Sequence, residues 1–111
     1  QNQIESVELT IEQARDLMKK RELALKLSRN PDFKKLILNG YFVDEAARLA
    51  HLHSDPSLVD TPQAKMVDND LKGVGSLKRY LSTIVQMGNH AEAELGSHEE
   101  TLDDLRAEEN E

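Results

Sequence analysis

Apolar residues in this chain recur mostly three and four apart, the spacing that lines one face of a helix. Residues 1–10 depart from it. Val7, Leu9 and Ile11 alternate with polar neighbours, which predicts an extended arm over 1–10. Thr10 and Gln13 have the spacing of a capping box and predict a first helix over 11–29, with Ala14, Leu17, Met18 and Leu25 on its apolar side. Asn30-Pro31 ends it and starts a second, short helix over 31–38. Asn39-Gly40 reads as its stop, and Phe42 opens a third helix that runs to His53 before the turn Ser54-Asp55-Pro56-Ser57.

The dominant element is the fourth helix. Thr61 is its predicted cap and Pro62 its first residue. From Val74 the apolar stripe is Val74, Leu77, Leu81, Ile84, Gly88, Ala91, Leu95, His98, Leu102 and Leu105. Steps of three and four alternate along this stripe, a heptad seam of the coiled-coil kind. Upstream, Ala64, Val67, Leu71 and Val74 follow a second register, and the two meet through an extra step of three beside Gly73 and Gly75. This predicts a kink there, with a second weak point at Gly96. The expected fold is all-α: three short N-terminal helices and a long, kinked C-terminal helix. The expected division is an arm over 1–10, a short-helix domain over 11–60, and a long helix or coiled-coil segment with an acidic tail over 61–111.

Composition agrees. Aromatic residues make up 4% and charged residues 32%, which suits amphipathic helices better than a sheet sandwich. No apolar run approaches the roughly 20 residues of a membrane span, and residues 1–10 lack the layout of a signal peptide. The absence of cysteine removes disulfides and thiolate metal sites. Net charge is −7, unevenly spread: residues 15–35 hold eight cations against three carboxylates, and residues 89–111 hold nine carboxylates against Arg106. A basic front and an acidic tail read as two solvated helix faces, or more sharply as head-to-tail pairing between copies or an acidic tail that meets a basic partner.

Candidate chemistry is sparse. His90, Glu94 and His98 share one helical face, but three ligands spread over about 12 Å of straight helix do not converge on one ion. No metal, cofactor or small-molecule substrate is expected. His98-Glu99-Glu100-Thr101-Leu102 lacks the second histidine of a zinc-protease motif, and Gly73-Val74-Gly75 lacks the strand and third glycine of a phosphate loop. The cations of 15–35 circle their helix and have few aromatic residues to stack bases beside them, which argues against direct nucleic-acid contact.

Asp32-Phe33-Lys34-Lys35-Leu36-Ile37-Leu38-Asn39-Gly40-Tyr41-Phe42, the run Glu45-Ala46-Ala47-Arg48-Leu49, Asp55-Pro56, Gly75-Ser76-Leu77-Lys78-Arg79-Tyr80-Leu81 and the glutamate-rich end together resemble a family of small helical proteins of tailed bacteriophages. The resemblance implies a non-enzymatic virion or assembly role, in the particle or in the cytoplasm of the infected cell. Its expected partners are further copies of itself and other phage structural proteins. The expected interaction residues are those of the seam: Val74, Leu77, Leu81, Ile84, Gly88, Ala91, Leu95, Leu102 and Leu105. An acidic regulator of a host protein, or an accessory to phage DNA replication or recombination, is the alternative.

Overall fold

The computed structural model describes residues 2–110, and every regular element among them is helical. Helix α1 is Asn2–Ser28 and α2 is the single turn Pro31–Phe33. A π-helical segment, Lys34–Glu45, runs into α3, Ala46–His53. A 3-10 turn, Pro56–Leu58, precedes α4, Pro62–Glu109. The helices group into two units, Lys26–Ser82 and Gln1–Leu25 with Thr83–Glu111.

Several boundaries follow from local chemistry. Asn30 accepts from the backbone N–H groups of Asp32 and Phe33 and so caps α2, with Pro31 in the first turn. Asp55 accepts from the Ser57 N–H at 2.9 Å and starts the 3-10 turn. Asp60 then takes a positive φ of 62°, a conformation Asp tolerates better than most residues. Thr61 Oγ1 accepts from the Ala64 N–H at 3.2 Å, which caps α4 where the sequence predicts.

Other expectations are corrected. Residues 2–10 are helical, not an extended arm, and Thr10 is no cap: its hydroxyl donates to the Ser6 carbonyl one turn back. Gly40 does not stop a helix. No described glycine has a positive φ, and a Cβ at Gly40 would lie 2.9 Å from the Lys35 carbonyl oxygen. The missing side chain makes room for the wider π turn, so the expected second and third helices are joined. The helix α4 is also unbroken through Gly73, Gly75 and Gly96, and the Thr101 hydroxyl bonds back to the Ser97 carbonyl inside it. The expected division into an arm, a 11–60 domain and a 61–111 segment gives way to the two units above, which share α4.

In unit Lys26–Ser82 the core is Leu49, Val67 and Val74, with Tyr41, Phe42, Ala46, Leu52 and Leu71 packed around it. Leu49 is the most enclosed side chain, at 2% exposure. Glu45 and Arg48 form a bidentate pair, 2.7 and 2.6 Å, where the π segment passes into α3. In the other unit the buried residues are Ile11 and Ala14 of α1 and Ala91 and Leu102 of α4, with Gly88 buried beside them. The extra step of three in the α4 pattern, between Val74 and Leu77, lies inside unit Lys26–Ser82, and α4 passes into the hairpin unit only at Thr83. Val67 and Val74 pack on α3 and the π segment, whereas Ala91 and Leu102 pack on α1.

Candidate functional site: a charged antiparallel hairpin

The side chains that join α1 to the C-terminal part of α4 are mostly charged. Arg15 Nη2 reaches Glu99 at 3.2 Å, Arg21 Nη2 reaches Glu92 at 2.6 Å, and Arg106 Nη2 reaches Glu8 at 3.2 Å. The α4 partner number falls as the α1 number rises, so the two helices run antiparallel. The basic front and acidic tail of the sequence thus meet within one chain. The acidic end is helix with Leu102 buried in it, not a free tail.

Arg21 is the centre of this arrangement. Its side chain is only 12% exposed, it donates to Asn89 Oδ1 at 3.1 Å as well as to Glu92, and it also touches Glu22. The hydrogen bond to Glu92 holds its guanidinium above an already high pKa. Its Nε is buried and finds no acceptor among the described residues. The stem of Arg21 lies over Gly88, and the lack of a side chain there lets α1 approach.

The predicted seam is distributed as follows. Val74 belongs to the core of unit Lys26–Ser82. Gly88, Ala91 and Leu102 are buried in the hairpin. Leu81, Ile84, Leu95 and Leu105 are half-buried, and Leu77 is exposed. Within this chain α1 covers part of the seam. The missed signal lay in α1 itself: Ile4, Val7, Ile11, Ala14, Met18, Arg21 and Leu25 also alternate three and four. The alternation of Val7, Leu9 and Ile11 hid it, and Leu9 proves to be exposed.

His90 and His98 approach the two carboxylate oxygens of Glu94, at 3.4 and 3.8 Å, and pair with it when their imidazoles are protonated. Among the described residues no group of three or more His, Asp or Glu side chains is arranged to hold a metal ion. No described helix is long and apolar enough to cross a membrane.

Formal charge divides by unit. The hairpin unit has five cations and fourteen carboxylates, net −9. Unit Lys26–Ser82 has nine cations and seven carboxylates, net +2. The basic stretch of the sequence is itself split, with Lys26, Arg29, Lys34 and Lys35 outside the hairpin. No protein-family model, curated protein or solved structure matches this chain.

Proposed function

We propose that this chain is a non-enzymatic structural or assembly component of a bacteriophage particle that acts by packing its helices against other helices. The observation that carries this reading is the placement of large apolar side chains. Leu36, Met66 and Tyr80 stand on helical surfaces at 70, 64 and 60% exposure, in a chain with few buried hydrophobic residues. Scattered exposed apolar residues are ordinary, but so many large ones on helices leave helical faces without a partner. The resemblance to small phage helical proteins, carried by residues such as Lys34-Lys35-Leu36 and Lys78-Arg79-Tyr80, supports the same reading. Under it, the seam of Ile84, Gly88, Ala91, Leu95 and Leu102 is the heptad of a two-helix coil closed by α1, and the partners are further copies and other phage structural proteins. The place of action is the virion or the cytoplasm of the infected cell. Co-sedimentation with purified particles, followed by mass spectrometry of their proteins, tests it. Complete absence from particles and from assembly intermediates overturns it.

The net −9 of the hairpin unit favours one second reading, an acidic regulator that occupies a basic groove of a host protein. Recovery of a single host protein at low salt, lost at high salt, would select it. A role in phage DNA replication or recombination would instead give salt-dependent retention on DNA.

A further inference from the structure

In unit Lys26–Ser82 exposed apolar residues stand beside cations. Lys35 precedes Leu36, Lys65 precedes Met66, and Lys78 and Arg79 lie between Leu77 and Tyr80 in α4. Those four cations are exposed, and none forms an ion pair with a described residue. The turn from Leu77 to Tyr80 is the most compact of these groups: two exposed apolar side chains and two cations within one turn of helix.

The hairpin unit offers the complementary surface. Near the start of α1 and the end of α4, two adjoining depressions share Gln3 and Leu105. One is lined also by Val7 and Thr101, the other by Ile4, Glu108 and Glu109. Ile4, Val7 and Leu105 are half-buried and form an apolar floor. Glu108 and Glu109 stand at its edge, exposed and without a cation among the described residues.

We propose that the Leu77–Tyr80 turn of one copy docks into the notch of Ile4, Val7 and Leu105 on a second copy, with Lys78 and Arg79 facing Glu108 and Glu109. The inference rests on the packing function proposed above and names its partner surface. Its occupant is a second copy because charge and apolar surface match in kind: cations around an apolar knob, carboxylates around an apolar notch, on units of net +2 and −9. Burying Tyr80 and Leu77 supplies affinity, since aromatic anchors in pockets dominate interfaces. The exposed charges supply orientation and rate, and salt weakens them. The contact is heterologous, so a dimer keeps one knob and one notch free for further copies, and assembly continues beyond the dimer, as an open filament or until a ring closes.

Two variants test this without touching the core. Knob variant Arg79→Glu/Tyr80→Asp and notch variant Glu108→Lys/Glu109→Lys alter only exposed residues. Circular dichroism confirms that each retains its helix content. By sedimentation velocity, the wild-type mass should rise with concentration past the dimer. Each variant alone should assemble at least tenfold more weakly. Mixed in equal amounts they should form a complex of two chains and nothing larger, because one variant keeps the notch and the other the knob. Wild-type association that survives unchanged in either variant overturns the docking, as does a mixture that stays monomeric. A wild-type chain that is monomeric at every concentration also overturns it, and leaves the packing function to its separate test on particles.

Discussion

Gly88 of α4 is occupied by Arg21 of α1: a Cβ built at Gly88 would fall 2.9 Å from the Arg21 Cδ and 3.0 Å from its Cγ, and would also collide with its Cβ. The contact with Cβ matters most, because that atom moves only with the α1 backbone. By contrast, a Cβ at Gly75 or Gly96 of the same helix meets nothing within 4 Å.

Three glycines of one helix therefore have opposite expected effects on substitution. Gly75→Ala and Gly96→Ala should each stabilise by about 0.5–1 kcal/mol, the gain of alanine over glycine inside a helix. Gly88→Ala should lose that gain to the displacement of α1, and Gly88→Leu should destabilise by about 1–3 kcal/mol through overpacking. Thermal melts of the four variants decide it. A Gly88→Ala melt raised as far as Gly96→Ala would mean that α1 does not lie against this position.

Arg21 acts through its stem as much as through its charge. Glu92, Asn89 and Glu22 are all exposed and regain water when the guanidinium is removed. Arg21→Met keeps a long apolar stem over Gly88 and should melt close to wild type. Arg21→Ala empties that space and should melt clearly lower. Equal melting of the two variants would assign the role to the ion pairs instead. Arg21→Lys should not restore the simultaneous contacts to Asn89 and Glu92, since an ammonium lacks the planar fork.

In the other unit, Leu49→Ala should destabilise by about 2–5 kcal/mol, because Leu49 is the most enclosed side chain of the Val67 and Val74 cluster. Denaturant unfolding followed by the fluorescence of Tyr41, which packs on this cluster, measures it. A loss below 1 kcal/mol would show that the cluster refills the space.

Two carboxylates of this unit couple folding to pH. The backbone N–H of Ser57, then its hydroxyl, hold the Asp55 carboxyl below the usual range, and a hydrogen bond from Arg48 does the same for Glu45. A lowered pKa in the fold means stability that is present above the unfolded value near 4 and lost as pH falls through the folded value. Acid unfolding below about pH 4 should be shallower in Asp55→Asn and Glu45→Gln than in wild type. Asn keeps an acceptor for the Ser57 N–H but not the charge, so Asp55→Asn should lack at neutral pH the increment that wild type loses on acidification. Unchanged acid limbs in both variants would exclude these two groups as its source.

The helical class, the cap at Asn30, the start of α4 at Thr61-Pro62 and its great length were legible in the sequence, because caps and helix periodicity depend on residues within about four positions of one another. The cations and carboxylates that build the hairpin were legible as types, but not as pairs. Arg21 with Glu92, and Arg15 with Glu99, are joined only when α1 folds back on α4, and nothing local specifies that return. The same holds for residues 2–10. Val7 and Ile11 alternate with polar neighbours as a strand would, yet Ile4, Val7, Ile11 and Ala14 also form a helical stripe, and burial of Ile11 and Ala14 in the hairpin unit selects the helix. Gly40 reads as a stop in isolation but serves a π turn through the Lys35 carbonyl. The α4 stripe was visible, whereas its division was not: Val67 and Val74 belong to one unit and Ala91 and Leu102 to the other, and a packing partner is a property of the tertiary structure.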